Sequence, residues 1–457
     1  MAINPAEICP TVKELPVGWT VRRLDSFCSK IGTGATPRGG SEVYLDSRVT
    51  YALVRSQNVF DRFFDTVGIA YISDAHAREL RNAEVQAGDV LLNITGDGVT
   101  FGRSCIVPDE VLPACVNQHV SIIRTNRREC NPGYLLSVLT HPAAKSYVES
   151  FNSGGSRRAI TKAHIESFEI PLPPLPQQKA IASVLGTLDD KIESNRRMNA
   201  TLDAMARSLF QSWFVDFDPV RAKLDGRAPD GMDAQTAALF PSAFHDSGLG
   251  EIPHGWRAGS ILEQAYLLSG GTPKTDVARF WNGDIPWASA KDVSQCGESF
   301  LVATERTITA QGVEQSSTKI IPEFSTVVVA RGATTGRLAM IGHAMAMNQT
   351  CYGLHSKLGA PYALYCNANH FIERVVLGGH GSIFDTITTS TFEATDVLLP
   401  PRDVVLAFDS QVGPFFRRIL ANIHQSRTLA ELRNTLLPNL LSGELRIAHA
   451  GDVPTAV

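Results

Sequence analysis

An internal repeat is the feature of this 457-residue sequence that most limits how it can fold. The stretch 14–19, ELPVGW, returns as 251–256, EIPHGW, and Thr36-Pro37 returns as Thr272-Pro273. Three further dipeptides return in the same order, at offsets between 226 and 231: Asn117-Gln118 with Asn348-Gln349, Gly155-Ser156 with Gly381-Ser382, and Pro173-Pro174 with Pro400-Pro401. Because loop insertions would shift the offset in this way, we predict two copies of one unit.

Each copy has the same layout. Glycine-rich segments come first and contain short apolar runs, such as 89–95 and 325–330, which are typical of strands. A pair of prolines ends this region, and a long helical pattern follows. We therefore expect an α+β (mixed) fold with globular domains at 1–174 and 251–401, long helices at 175–213 and 402–443, a linker at 214–250 and a tail at 444–457.

Both helical patterns carry a seam with alternating spacings of four and three residues. The seams match at an offset of 227, including the polar pair Asn195 and Asn422. Two matching seams favour an antiparallel coiled coil between the helices, with a pseudo-twofold axis. Pro414 should kink the second helix or delay its start. The predicted seam residues are Ile181, Leu185, Leu188, Ile192, Asn195, Leu202, Leu209, Phe408, Val412, Phe415, Ile419, Asn422, Leu429 and Leu436.

Composition and missing motifs exclude several classes of protein. The composition is that of a globular chain, and the formal charge of −4 argues against a protein that coats nucleic acid non-specifically. The sequence has no C-x-x-C pair, no membrane-length apolar run and no signal peptide, so we expect a cytoplasmic protein without a membrane partner. It also lacks a P-loop, an H-E-x-x-H motif and the adenine-methyltransferase tetrapeptide. We therefore expect no catalytic residue, metal or cofactor in this chain.

Loops that recur in both copies offer side chains suited to DNA. Arg, Lys, Asn and Gln can contact base edges, and hydroxyls and backbone amides can hold phosphates. Residues identical in both copies should hold the fold or contact the DNA backbone, because residues that distinguish sequences should differ, as Arg157-Arg158 differ from Ile383-Phe384. We predict DNA contacts at Thr36, Arg38, Arg55, Gln57, Arg103, Arg157, Arg158, Thr272, Lys274, Lys291, Arg331 and Arg337.

The order of these features resembles the specificity (S) subunit of type I restriction-modification systems, over nearly the whole chain. The most specific segments are 170–181 (IPLPPLPQQKAI), 212–223 (SWFVDFDPVRAK), 249–256 (LGEIPHGW) and 440–445 (LLSGEL). The resemblance implies that the two globular domains are target recognition domains. Each would recognise one half of a bipartite site on double-stranded DNA, and the helices would set the gap between the halves.

The resemblance also implies partners and explains the missing catalytic motifs. Two methyltransferase (M) subunits would dock on the helices, and restriction (R) subunits would join them. S-adenosylmethionine would bind to the methyltransferase subunit, and ATP and Mg to the restriction subunit, so this chain itself would be non-catalytic. Two other hypotheses remain open, namely a nuclease or methyltransferase with a degenerate site and a helical scaffold that does not bind DNA.

Overall fold

The computed structural model describes residues 15–152, 157–377 and 386–446. It divides into two compact units, one formed by 1–193 with 427–457 and the other by 194–426. The division falls inside both long helices, so each unit contains one globular domain and part of each helix. The repeated pairs at 155–156 and 381–382, and also Ile383 and Phe384, lie outside the described residues.

The first unit consists of short strands and helices joined by turns. Its strands are β1 Thr20–Arg23, β2 Cys28–Thr33, β3 Tyr51–Val54, β4 Val59–Phe60, β5 Phe63–Phe64, β6 Ala70–Ile72, β7 Glu84–Val85, β8 Val90–Asn93, β9 Thr95–Gly96, β10 Ser104–Ile106, β11 Ala114–Val116, β12 Val120–Thr125, β13 Arg158–Ala159 and β14 Glu169–Leu172. Its helices are α1 Asp74–Glu79, α2 Pro132–Leu139, α3 Pro142–Ser150 and α4 Lys162–Glu166, followed by the start of α5 Leu175–Phe214.

Two four-stranded sheets form the first globular domain. One has the antiparallel order β10-β8-β12-β2, and the other has the order β6-β3-β11-β7 with β11 parallel to β3. Strands β1 and β14 pair separately, so the beginning and end of the domain lie side by side. Every residue of β8 and β11 is buried, which explains why both strands are apolar in the sequence except for Asn93 at the end of β8.

The second unit repeats this set of elements. Its strands are β15 Phe244–Ser247, β16 Gly250–Pro253, β17 Arg257–Ser260, β18 Ala265–Ser269, β19 Trp281–Ala288, β20 Phe300–Leu301, β21 Arg306–Ile308, β22 Ile320–Ile321, β23 Thr326–Val329, β24 Leu338–Ile341, β25 Met345–Met347, β26 Cys351–Ser356 and β27 Asp396–Leu399. Its helices are α6 Asp218–Leu224, α7 Ala234–Ala238, α8 Ala290–Gln295, α9 Ala310–Glu314, α10 Pro361–Leu377 and α11 Thr389–Ala394, followed by the start of α12 Arg402–Ser442.

The sheets of the second unit have the topology of the first. One has the order β24-β23-β26-β18, with β20 added beside β24, and the other has the order β21-β19-β25-β22 with β25 parallel to β19. Strands β17 and β27 pair as β1 and β14 do. The shared order of the two four-stranded sheets and of the terminal strand pair confirms the mixed fold and the duplicated unit that the sequence predicted.

The long helices begin directly after the paired prolines, at Leu175 and Arg402. Helix α12 continues through Pro414, so the expectation of a late start is wrong. A proline inside a helix removes one backbone hydrogen bond and frees the carbonyl four residues earlier. Pro414 and Ser410 are both exposed, so water can satisfy that carbonyl.

Within each unit, the two long helices pass each other in antiparallel directions. In the first unit, Leu185 shares a core with Leu437, and Asp189 pairs with Arg433 at 2.7 Å. In the second unit, contacts between the helices follow one another in opposite chain directions: Asn195 Nδ2 donates to Gln425 Oε1 at 3.0 Å, Asn422 Nδ2 donates to Asn199 Oδ1 at 2.9 Å, and Phe214 contacts Phe408 with ring centroids 5.0 Å apart. The polar seam residues Asn195 and Asn422 therefore each bond to the opposite helix.

None of the predicted seam residues is exposed, but the phase of the second seam is wrong at two positions. Phe415 and Leu436 are only half-buried, whereas their neighbours Phe416 and Leu437 are buried. An α-helix has 3.6 residues per turn, so its buried face drifts forward relative to a strict 3.5-residue repeat. After four heptads from Phe408 the drift approaches one residue, which accounts for Leu437.

The segment 214–250, predicted as a linker, is largely folded. It contains α6, α7 and β15, and its residues Val220 and Phe240 are buried in the core of the second unit. Among the described residues, no helix combines the length and apolar character needed to cross a membrane.

Candidate nucleic-acid interface

Several strand ends meet at one edge of the first globular domain. The chain leaves β2, β3, β8 and β11 at this edge, in loops 34–38, 55–58, 94–103 and 117–119, which together we call the first turn edge. Backbone hydrogen bonds hold the loops together: Gly34 N–H to Val120 O at 3.2 Å, Asn117 N–H to Val54 O at 2.9 Å and Ile94 N–H to His119 O at 3.0 Å. The predicted contacts Thr36, Arg38, Arg55, Gln57 and Arg103 lie in these loops.

The equivalent loops of the second unit form a second turn edge. They are 270–274, 289–292, 330–337 and 348–350, at the ends of β18, β19, β23 and β25. Two of the backbone bonds recur, Asn348 N–H to Ala288 O at 2.9 Å and Ala330 N–H to Thr350 O at 2.8 Å, and Gly271 N–H donates to Met347 O at 2.9 Å. The predicted contacts Thr272, Lys274, Lys291, Arg331 and Arg337 lie here.

A glycine-threonine turn packs against an asparagine-glutamine turn at the first turn edge. A Cβ atom on Gly34 would lie 1.8 Å from Val116 O, so only glycine allows this close approach. The Thr36 hydroxyl donates to Gln118 Oε1. The turn leaves the side chain of Arg38 exposed.

The second turn edge has the same packing. A Cβ atom on Gly270 would lie 2.0 Å from Asn348 O. The Thr272 hydroxyl donates to Gln349 Oε1, and the side chain of Lys274 is exposed. Each domain therefore presents a cation from a turn with the same threonine–glutamine bond, an arginine in one and a lysine in the other.

The recurring asparagines stabilise their own turns. Asn117 Oδ1 accepts the His119 N–H at 3.1 Å, and Asn348 Oδ1 accepts the Thr350 N–H at 3.1 Å. Their side-chain amide oxygens therefore accept hydrogen bonds within the domains. This arrangement agrees with the interpretation that residues identical in both copies hold the fold.

A line of hydrogen bonds extends the first turn edge toward Arg157. Gln118 Nε2 contacts His119 Nε2 at 3.2 Å, and His119 Nδ1 contacts Thr95 Oγ1 at 2.6 Å. Burial, together with the positive charge of Arg157, lowers the pKa of His119. The ring is therefore neutral at neutral pH and adds no positive charge beside the exposed Arg157. Sequence reasoning missed Thr95 and singled out His119 only as part of an amide-rich motif.

Two predicted contacts of the first turn edge are held by a neighbouring loop. The side chains of Arg55 and Gln57 both donate to Gly68 O, the latter at 3.3 Å. The Arg55 guanidinium also lies 5.6 Å from the ring centroid of Tyr44. These two side chains therefore have positioning contacts within the domain as well as access to solvent.

Arg103 and Arg158 also have partners within the first unit. The Arg103 guanidinium lies 4.4 Å from the ring centroid of Phe60, and Arg158 Nε is 2.7 Å from Glu149 Oε1. Strand β13, which carries Arg158, pairs with β9 at the turn edge. Both arginines are half-buried, whereas Arg38 in the turn edge and Arg157 just before β13 are exposed.

The remaining cations of the second turn edge are exposed. Lys291 Nζ lies 2.6 Å from Glu305 Oε2, and this hydrogen bond and charge raise the pKa of Lys291. The backbone of Arg331 forms a bridge with Thr386, the counterpart of the β9–β13 pairing. Arg337 follows the turn as Arg103 does in the first unit. The edge thus presents positive charge from three loops.

Two tryptophans stabilise the second glycine-threonine turn, and sequence reasoning missed them. Trp287 Nε1 donates to Gly271 O and Trp281 Nε1 donates to Lys274 O, each at 3.0 Å. The Arg306 guanidinium lies 3.5 Å from the ring centroid of Trp281. Two tryptophans within seven residues, just after the turn, were the signal available in the sequence.

The two edges offer groups suited to binding a polyanion. Exposed guanidinium, ammonium and hydroxyl groups surround backbone turns, which is the set that contacts phosphates and base edges. In the part of the chain that the structure describes, no group of three or more His, Cys, Asp or Glu side chains is placed to hold a metal ion.

Comparison with known proteins finds similarity to DNA specificity subunits. The family model described as the type I restriction modification DNA specificity domain matches residues 16–204 and 253–428. The chain is 26% identical over 412 residues to the type I restriction enzyme HindI specificity subunit of Haemophilus influenzae, covering 79% of this chain and 87% of that protein. It is 23% identical over 458 residues to the type I restriction enzyme MjaIX specificity subunit of Methanocaldococcus jannaschii, covering 95% of each.

A solved structure shows the same fold. The crystal structure of the type I restriction-modification system S subunit from M. genitalium superposes with a TM-score of 0.56 at 12% identity, covering 93% of this chain and 96% of that one. The family model matches the chain twice, once in each repeated unit. The chain therefore belongs to the type I restriction modification DNA specificity domain family, as the resemblance in its sequence predicted.

Proposed function

We propose that this chain is the DNA sequence-specificity subunit of a type I restriction-modification complex. The observation that carries the proposal is the pair of matched turn edges. Their frameworks are the same, but the side chains presented from them differ: Arg38 corresponds to Lys274, Gln57 to Lys291 and Thr95 to Arg331. A common framework with different exposed groups suits two domains that recognise different half-sites.

The long helices give each recognition domain a fixed attachment. In each unit, the core of the globular domain includes residues from both α5 and α12. A rigid attachment of this kind suits a protein that measures the gap between two half-sites, because half-site spacing mirrors protein geometry. We infer that the same helices dock two methyltransferase subunits, and that restriction subunits join that assembly in the cytoplasm.

The chemistry would belong to those partners. S-adenosylmethionine would bind to the methyltransferase subunits, and ATP and Mg to the restriction subunits. This chain would present the DNA so that the target adenine reaches the methyltransferase. Its own contribution is selection of the sequence and orientation of the duplex.

A genome-wide map of N6-methyladenine tests the proposal. A host without adenine methylation would express this chain together with its modification subunit, and the control would be the modification subunit alone. We expect a bipartite motif, methylated on both strands, only in the first culture. A soluble complex of the two proteins that leaves the genome unmethylated and does not bind DNA would support the scaffold hypothesis instead.

A further inference from the structure

A carboxylate on the first long helix lies between two arginines from different parts of the first unit. Asp189 Oδ2 is 2.6 Å from Arg62 Nε, and Asp189 Oδ1 is 2.7 Å from Arg433 Nη1. Arg433 belongs to α12, whereas Arg62 belongs to the globular domain. One side chain therefore links both long helices to the recognition domain.

Arg62 lies in the two-residue turn between β4 and β5, with a left-handed φ of 60°. Its backbone N–H donates to Ser104 O at 2.8 Å, which fixes the turn against β10. This conformation favours glycine, and other residues adopt it at a cost in backbone strain. An arginine at such a position indicates that its side chain has a role that offsets this cost.

The three charges are largely removed from solvent. The side chains of Arg62, Asp189 and Arg433 are 6%, 16% and 18% exposed. Burial lowers the pKa of Arg62 despite its carboxylate partner. The guanidinium also donates to Thr140 Oγ1 at 3.0 Å. Buried ionic networks of this kind add little net stability but can select one arrangement of the elements they join.

The β4–β5 hairpin connects this network to the first turn edge. Asn58, in the loop at 55–58, donates from Nδ2 to Asp65 O at 2.9 Å and accepts the Asp65 N–H at its own backbone oxygen at 2.8 Å. The Arg103 guanidinium, from another loop of the edge, stacks on Phe60 of the same hairpin. The hairpin is therefore joined to DNA-facing loops at its base and to the helices at its tip.

The second unit has different residues at the corresponding positions. On the long helices, Phe416 and Ala206 correspond to Asp189 and Arg433, and both are fully buried. Its globular domain contacts α5 through other polar pairs, for example Ser299 Oγ to Asp203 Oδ1 at 2.7 Å. The arginine-aspartate-arginine network is therefore not a general requirement of the fold.

We propose that Asp189, held between Arg62 and Arg433, is a positioning residue that fixes the orientation of the first turn edge on the long helices and thereby restricts the gap accepted between half-sites. The proposal rests on the proposed function, because it concerns how a bipartite site is measured. The network does not touch the exposed groups of the turn edge, so it should affect spacing and leave base preference unchanged.

The variant Arg62→Gly tests this directly. Glycine suits the left-handed backbone, and Asp189 keeps Arg433 as a partner, so the variant should fold. The complex with the modification subunit would methylate a library in which both half-sites are constant and the gap is one or two base pairs shorter or longer. We expect methylation at the adjacent gaps, relative to the native gap, to rise by about tenfold or more.

Lys145→Ala is the matched control, because the ion pair of Lys145 is with Asp61 of the same hairpin and not with Asp189. It should keep the wild-type gap preference. A second variant, Arg62→Met with Asp189→Leu and Arg433→Met, replaces all three charges by apolar groups and should fold with a relaxed gap.

Three results would overturn the proposal. One is an unchanged gap preference in a folded Arg62→Gly or triple variant, and another is an equal change in Lys145→Ala. The third is an altered first half-site sequence at an unchanged gap, which would make Arg62 a base-reading residue. If the wild-type chain produced no bipartite motif at all, the proposed function would fail instead.

Discussion

The two globular domains share their sheets and turns but differ in how each turn edge is stabilised. In the first domain, Gln118, His119 and Thr95 form a hydrogen-bonded line beside the glycine-threonine turn. In the second, the indole N–H groups of Trp281 and Trp287 bond to the backbone of that turn. The shared turns have the same backbone conformation in both domains. The surrounding residues determine which charged side chains are exposed and how rigidly the turn is fixed.

The domains also differ in how they join the long helices. Asp189 and Arg433 occupy in the first unit the helix positions that Phe416 and Ala206 occupy in the second, and Arg62 reaches Asp189 from the globular domain. An apolar ring can be accommodated in several similar packings, whereas a paired carboxylate requires defined partners. The comparison indicates that the contacts of the first domain with the long helices fix its orientation, whereas those of the second domain mainly add stability.

Phe416→Ala should have the largest effect on stability. The ring is fully buried and stacks on Tyr362 with centroids 5.1 Å apart. We expect a loss of about 3–5 kcal/mol in the free energy of unfolding, measured by chemical denaturation. Phe415→Ala, at the half-buried neighbour, is the control and should lose markedly less. A larger loss in Phe415→Ala than in Phe416→Ala would show that Phe415, the strict heptad position, is the core residue. Phe416 would then no longer be the apolar counterpart of Asp189.

Gly34→Ala and Gly270→Ala should have large effects of similar size. Each added methyl group would overlap a carbonyl oxygen of the facing turn, at 1.8 and 2.0 Å. We expect each variant to lose about 2–3 kcal/mol in denaturation experiments. Gly186→Ala, in open space on α5, should instead gain about 0.5–1 kcal/mol. A loss at only one of the two turn glycines would show that the turns are not equivalent.

Trp287→Phe should lower the free energy of unfolding by less than the glycine variants do, and its effect on methylation should be confined to the second domain. The variant keeps most of the ring but loses the hydrogen bond to Gly271 O, which is worth about 1 kcal/mol. We expect weaker methylation, with relaxed sequence preference in the half of the motif that the second domain recognises. Trp19→Phe, which loses a similar bond to Gln177 in the first unit, should change stability without this effect. Equal methylation loss in both variants would contradict a local role at the turn edge.

Glu298→Gln should have the smallest effect. Burial raises the pKa of Glu298 above its ordinary value of 4.5, although Asn199 Nδ2 donates to it at 3.0 Å. A raised carboxyl pKa means that the folded state binds the proton more tightly, so stability falls as pH rises through the folded pKa. At neutral pH the variant should gain about 0.5 kcal/mol or less, measured by thermal unfolding. Glu314→Gln, on the exposed surface, should not change stability, and an equal gain there would exclude burial as the cause.

Local patterns predicted the parts of the fold that depend on local spacing. The strand runs at 89–95 and 325–330 contain β8 and β23, and the helical patterns predicted from 175 and 402 coincide with the starts of α5 and α12. The pairing of Asn195 and Asn199 with residues of α12 follows from the seam. The shift of the buried face from Leu436 to Leu437 could not be predicted from the seam, because a heptad count assumes 3.5 residues per turn throughout.

Contacts between distant parts of the chain could not be predicted from one sequence. Arg62 is 127 residues from Asp189, and nothing in its neighbourhood distinguishes it from a surface arginine. Trp281 and Trp287 were visible as residues, but their acceptors are backbone oxygens that only the folded turn supplies. The predicted DNA contacts converge on the turn edges, yet which of them bind bases stays a prediction.

The central claim is that each turn edge recognises its own half-site, and methylation maps of Arg38→Ala and Lys274→Ala test it most directly. Arg78→Ala and Lys357→Ala, exposed cations outside the turn edges, are the matched controls. The account predicts that Arg38→Ala relaxes or weakens one half of the bipartite motif, by about tenfold or more, and that Lys274→Ala does so for the other half. Variants that both alter the same half, or that leave both halves unchanged while the controls alter them, would contradict it.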